Sequence, residues 1–262
     1  MKPRVLYIQE GKTPLVAAAI HTGHEIRKEI AEHLVLSESD RLREEDPFTS
    51  GLTTVAQNRM IVLRSRFEVD LNRPREKAFY KKPEDAWGLH LWKEQPPREL
   101  IERSLEEYDR FYGKAKRFFT DLENRFGNFV VFDVHSYNHF RDGQDGPPAD
   151  PKLNPEVNVG TGTMDRKRWA SIVDRFMSDL RTFDFSGRPL DVRENIKFKG
   201  GQFSRWIHET FPETGCAMAI EFKKFFMNEW TGELYHEQFD AIKDALQSTV
   251  PGVLEELTNL KK

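Results

Sequence analysis

The chain has 262 residues, of which 38% are hydrophobic, 32% charged and 12% aromatic, the make-up of a water-soluble globule with a core. Forty Lys and Arg against 43 Asp and Glu leave a formal charge of −3, which gives no ground for a nucleic-acid partner or an anionic membrane surface. The single cysteine, Cys216, excludes an internal disulfide and a cysteine-based zinc knuckle, and no apolar run reaches bilayer length, so the expected compartment is the cytoplasm.

Short apolar runs at residues 5–8, 15–20, 60–63, 129–134 and 216–222 lack polar–apolar alternation. They predict strands buried on both faces. Residues 97–126 predict the longest helix, with Leu100, Ile101, Leu105, Tyr108, Phe111, Tyr112, Ala115 and Phe119 forming a stripe at three- and four-residue intervals. Residues 166–180 and 236–246 carry the same period. Strands alternating with helices predict an α/β architecture, a largely parallel sheet covered on both sides. The Pro- and Gly-rich stretches at 141–151 and 198–201 read as loops, not as domain linkers, because hydrophobic content is similar on either side. A single domain over residues 1–262 is expected.

Ligands of open α/β sheets bind beyond the carboxyl ends of the strands. His21-Thr22-Gly23-His24 follows the second run, and Asp133-Val134-His135-Ser136 closes the fourth. Asn72-Arg73-Pro74 comes after the third run, and Glu221 ends the fifth. Two histidines and a carboxylate with a position left for water are a common catalytic zinc set. Such a metal polarises a carbonyl and acidifies water, a further carboxylate can carry the proton, and an arginine can fork to a substrate carboxylate. Together these groups describe hydrolysis of an amide beside a free carboxylate. Singly, each histidine fits a buried structural role better than a ligand role, and Arg73 or Glu221 would serve equally as half of an ion pair.

The segments His21-Thr22-Gly23, Ser65-Arg66, Asp70-Leu71-Asn72-Arg73-Pro74, Asp133-Val134-His135-Ser136 and Phe198-Lys199-Gly200-Gly201 stand in an order that resembles the N-formylglutamate amidohydrolase family. The Asp-Leu-Asn-Arg and His-Ser-Tyr pieces also resemble the wider zinc carboxypeptidase and aspartoacylase relatives. The resemblance implies a three-layer α/β/α sandwich with a mixed, mostly parallel sheet. It also implies one zinc ion as cofactor and a small acyl amino acid as substrate. His21 and His135 become metal ligands by this likeness, Asn72 and Arg73 the carboxylate clamp, and Glu221 the general base. Arg205, after the Gly-Gly pair, is a second candidate anion contact, and Arg66 a buttress. Asp133 is placed to orient His135.

The third ligand departs from the carboxypeptidase pattern, since His24 stands where those enzymes have glutamate. Asp46, in Glu44-Glu45-Asp46, is the choice, with Glu45, His24 and Glu25 as alternatives. Tyr137 and His139 are candidate hydrogen-bond donors to a developing oxyanion. Trp87 and Trp92 read either as packing an insertion or as lining the pocket mouth. The expected activity is a zinc-dependent amidohydrolase cleaving N-formyl-L-glutamate. The alternatives are a deacylase or carboxypeptidase-like enzyme for another acyl amino acid or peptide, and a metal-free binding protein on the same fold.

Overall fold

The structure is a computed structural model that describes residues 5–140 and 142–260. Arg141, the first residue of the expected 141–151 loop, lies outside the described residues. Seven strands form one sheet: β1 (Leu6–Gln9), β2 (Leu15–Ala19), β3 (Asn58–Val62), β4 (Phe129–Tyr137), β5 (Val157–Gly160), β6 (Val192–Glu194) and β7 (Gly215–Lys223). Their spatial order is β1-β3-β2-β4-β7-β5-β6. The central strands β3, β2, β4 and β7 are parallel, β1 closes one side antiparallel to β3, and β5 pairs antiparallel with β7 and parallel with β6.

The sheet is mixed because its two flanks reverse direction. The five predicted strands are present. The two extra ones, β5 and β6, are short and interrupted by Asn158 and Arg193, so no apolar run announces them.

Eight α-helices among the described residues complete the fold: α1 (Lys28–Ala31), α2 (Glu38–Glu44), α3 (Thr49–Leu52), α4 (Arg98–Phe126), α5 (Ala170–Thr182), α6 (Gln202–Thr210), α7 (His236–Ser248) and α8 (Val250–Asn259). Alternation along the central strands divides the core into two layers. Leu15, Ala17, Val130, Phe132, Met218 and Ile220 face α5, α7 and α8. Val16, Ala18, Phe129, Val131 and Ala217 face α4 and α6. The apolar stripe of α4 buries Tyr108, Phe111, Ala115, Phe119 and Leu122 against that second face. Each fully buried large side chain there contributes on the order of 2 kcal/mol. The helix ends at Gly127, whose φ of 77° suits the residue without a Cβ. Among the described residues, no helix is long and apolar enough to cross a membrane.

One packing contact makes the fold sensitive to acid. His208 of α6 is buried; its Nε2 accepts from the Ala217 amide at 3.0 Å, and Nδ1 donates to Thr163 Oγ1 at 3.0 Å. Burial, which disfavours the charged form, pushes this imidazole down to about 4 from its ordinary 6.5. Between those pH values the unfolded chain takes up a proton that the folded chain refuses. The stabilising contribution is therefore whole above pH 6.5 and is lost as the pH falls towards 4. H208Q keeps an acceptor and removes the titration. The stability advantage of wild type over H208Q, read by urea unfolding, is expected to shrink by roughly 3 kcal/mol between about pH 7 and about pH 4.

Candidate functional site

The carboxyl ends of β2, β4 and β7 meet in one pocket of about 740 Å³. His21 follows β2 by two residues, while His135 lies in the last third of β4, and both are buried. In the parallel register of β4 and β7, His135 stands directly opposite Glu221. Asp46 arrives from another direction, on the link between α2 and α3. Its amide donates to His21 O at 3.0 Å, and its own carbonyl accepts from Thr49 Oγ1 at 2.7 Å. That link turns through Phe48, which holds a left-handed φ of 67°, an uncommon backbone state for a bulky residue.

The imidazoles are oriented from behind. His21 Nε2 lies 2.7 Å from Asp70 Oδ1, and His135 Nε2 lies 2.9 Å from Asp133 Oδ1. Both aspartates are themselves fixed. Asp70 accepts from Arg66 at 3.0 Å and from Tyr80, and Asp133 accepts from Ser204 Oγ at 2.9 Å. With each Nε2 engaged by a carboxylate, the two Nδ1 atoms face inward, 3.6 Å and 2.9 Å from the same oxygen, Asp46 Oδ2. One ligand atom from each of His21, Asp46 and His135 falls within 4.8 Å of the others. The outer carboxylate, imidazole and inward nitrogen are the usual support of a metal-bound histidine.

The electrostatics also favour a cation. Burial alone would lower the His135 imidazole, yet Asp133, Glu221 and Asp46 hold it well above its ordinary range. Burial alone would raise the Asp46 carboxyl, yet its hydrogen bonds to His135 and His21 hold it below the usual carboxylate range. Asp46 and Glu221 thus bring carboxylates to the point the two Nδ1 atoms face, with Asp133 behind the His135 ring, and a divalent ion would meet that charge.

Glu221 differs from the other acids. Burial, reinforced by Asp46 and Asp133 and opposed by His135, pushes its carboxyl up to about 7. That value suits a group that must both take and give a proton near neutrality.

The remaining expected residues are distributed unevenly. Asn72 lines the pocket, whereas Arg73 and Arg205 are not among the lining residues. Arg73 lies over the Tyr80 ring at 4.7 Å with Nε 3.5 Å from Asp70, and Arg205 is exposed on α6. The arginine that does line the pocket is Arg66, stacked on Trp87 at 4.7 Å. Glu45 turns away from the pocket to His24 Nδ1 at 2.5 Å and to Ser65, so neither Glu45 nor His24 joins the three facing ligand atoms. Glu25 is likewise outside that cluster.

Tyr137 donates its hydroxyl to Pro155 O, so that group is engaged, and His139, with Nδ1 2.8 Å from Glu229, is not among the residues that line the pocket. Of the two tryptophans, Trp87 lines the pocket, while Trp92 stacks on Phe79 and donates to Tyr80 O. Two pocket residues escape a reading of the sequence. Ser136 Oγ is buried with no hydrogen-bond partner among the described residues, and Lys224 is a fully buried lysine. Ser136 is the neighbour of His135, and Lys224 follows Glu221 by three residues, which is the signal the sequence offers for them.

Known proteins resemble this chain in sequence and in fold. The family model for N-formylglutamate amidohydrolase matches residues 13–227. The chain belongs to that family. Its sheet and helices are similar to the crystal structure of N-formylglutamate amidohydrolase from Ralstonia eutropha JMP134, with 19% identity, a TM-score of 0.73 and 98% of each chain covered. They are also similar to a gene product of Agrobacterium tumefaciens, with 16% identity, a TM-score of 0.69, and 98% of this chain and 97% of that chain covered. No curated protein matches the sequence.

The Gly200-Gly201 segment has a physical reason here. A Cβ on Gly201 would stand 2.2 Å from Asn72 Oδ1. Only a bare backbone lets Asn72 approach, so that its Oδ1 accepts from the Phe203 amide at 3.0 Å in the first turn of α6. With the oxygen committed to the helix, the amide Nδ2 remains to donate into the pocket. Gly201→Ala is expected to displace Asn72 and raise KM for a carboxylate substrate about tenfold, a loss of ~1.4 kcal/mol of binding. Metal content should be unchanged, and steady-state kinetics beside metal analysis checks both.

Proposed function

We propose that the protein is a zinc-dependent hydrolase of N-acyl amino acids and that N-formyl-L-glutamate is its substrate, cleaved to formate and glutamate. The observation that carries this reading is the convergence of His21, Asp46 and His135 on one point, with Glu221 directly across the strand pair from His135. Two imidazoles and one carboxylate suit zinc, which when bound supplies Lewis-acid polarisation of a carbonyl and a lowered pKa of water.

The chain's own residues do the rest. Arg66 and the free amide of Asn72 bind a substrate carboxylate and fix the acyl group relative to Glu221. In this reading Arg66 takes the clamp role expected of Arg73, while Arg73 backs Asp70 and the Tyr80 ring. The Glu221 carboxylate accepts a proton from the attacking water as the new C–O bond forms at the acyl carbon. It returns that proton to the nitrogen as the C–N bond breaks, which balances the hydrolysis. Asp70 and Asp133 keep both imidazoles in the tautomer whose Nδ1 faces inward. A metal-free binding protein would have no use for this set. We keep the cytoplasm as its compartment, with its one cysteine, Cys216, buried in the core.

The test is a panel on zinc-loaded protein: N-formyl-L-glutamate, N-acetyl-L-glutamate, N-formyl-L-glutamine and short peptides with free C-termini. N-formyl-L-glutamate should give the highest kcat/KM. A preference for peptides would move the substrate assignment, and no turnover on any of them would sink the hydrolase reading.

A further inference from the structure

Lys224 is 1% exposed and follows β7 immediately, three residues beyond Glu221. Its backbone amide donates to Tyr137 O at 3.0 Å, which ties it to the end of β4. Among the described residues no carboxylate lies within ion-pairing distance of its ammonium. A buried, unpaired cation is costly, so the few that persist are held by strong hydrogen bonds.

An ammonium has three donors, and all three are engaged. Nζ donates to Arg43 O at 2.6 Å, Glu45 O at 2.7 Å and Asn138 Oδ1 at 2.9 Å. Arg43 and Glu45 lie at the carboxyl end of α2, where carbonyls lack helical partners and a positive charge is favoured. Asn138 in turn donates to Glu44 Oε1 at 2.9 Å. The lysine therefore has no donor left for substrate. It ties the segment that delivers Asp46 to the two strands that carry His135 and Glu221.

We propose that Lys224 is a positioning residue that sets where the Asp46 carboxylate stands between His21 and His135. The proposal rests on the metal-site reading given above. A clamp on two carbonyls, ending one residue before a ligand, fixes the backbone from which that ligand projects. The Asp46 amide bond to His21 O fixes it on the other side. Without the ammonium, the Arg43 and Glu45 carbonyls would lose their clamp, and the end of α2 would be held by side chains alone: the Asn138–Glu44 tie and the bonds made by Arg41, Arg43 and Glu45. The carboxylate would then sample positions away from the two Nδ1 atoms.

The test is zinc affinity by competition with a chromophoric chelator for wild type, K224M, D46A and the K224M/D46A double variant. Hydrogen exchange at residues 43–49 is measured on the metal-free proteins. K224M is expected to weaken zinc binding by about 10- to 100-fold, the range for outer-shell groups. In the D46A background the same change should have less than about threefold effect, since its action runs through Asp46. Exchange at 43–49 should rise in metal-free K224M while α4 stays protected. K224Q, which keeps two donors, should fall between wild type and K224M and serves if K224M fails to fold.

Equal losses in both backgrounds, or unchanged affinity and exchange in K224M, would overturn the proposal while leaving the metal site standing. A wild-type protein that takes up no zinc would overturn the metal-site reading and this proposal with it.

Discussion

Glu221→Gln is expected to lower turnover by roughly 10² or more while zinc content stays at the wild-type level. The amide has the shape of the carboxylate but can neither accept the water's proton nor return it to the departing nitrogen. Metal content should hold because Glu221 is not one of the three facing ligand atoms. The pH dependence follows from the same group. Burial first, then Asp46 and Asp133, raise Glu221 to about 7, and a bound cation would pull it lower again. As a base it works ionised, so kcat/KM should fall as the pH drops through the pKa of the loaded enzyme. That acid limb should vanish from the residual activity of E221Q. Near-full activity in E221Q would assign the base elsewhere, and an unchanged acid limb would detach the titration from Glu221.

The uneven legibility of the site has a physical origin. His21, His135 and Glu221 stand out in the sequence because each ends an apolar run long enough to be buried, and strand ends converge in an open sheet. Asp46 carries no such mark. Its place depends on a backbone bond to His21 and on the buried ammonium of Lys224, whose bond to Glu45 O spans 179 residues of chain. Only the family resemblance points to it. Arg66 and Arg73 belong to the same long connection, residues 63–97 between β3 and α4, and which of them lines the pocket goes with their stacking on Trp87 and Tyr80. No local pattern encodes that choice.

The fold divides in the same way. The helices α4, α5 and α7 run for 13 or more residues with a clear helical period, and their predicted spans agree with the structure to within a few residues at each end. The helix α6 is amphipathic too, burying Phe203, Ser204, Ile207 and His208, but its nine residues give the period little length to stand out, and its first turn is capped by Asn72, 131 residues away. Likewise β5 and β6 owe their strand state to pairing with β7 and with each other. Propensity alone would not form them.

His135→Ala should abolish stoichiometric zinc binding, taking the metal from about one ion per chain to a small fraction at equal total zinc. The expected loss of affinity exceeds roughly 10²-fold, beyond the ~10- to 100-fold range of an outer-shell change. The ring does more than ligate. It lies between Asp46 and Asp133, 2.9 Å from each, and its removal leaves two buried carboxylates facing one another without their shared imidazole. Breaking such a buried arrangement costs about 3–5 kcal/mol, so metal-free H135A should also unfold at lower temperature than metal-free wild type.

Asp133→Asn separates the two effects. It keeps the inward ligand, an acceptor for His135 Nε2 and the neighbouring Ser204 contact, removes one buried charge, and should weaken zinc by ~10- to 100-fold with a smaller loss of metal-free stability than H135A. Plasma mass spectrometry on dialysed protein, with thermal unfolding of the metal-free forms, reads both quantities. H135A retaining one zinc per chain would place the metal elsewhere. D133N losing as much zinc as H135A would mean that Asp133 does more than orient the ring, since an orienting carboxylate leaves its histidine free to bind.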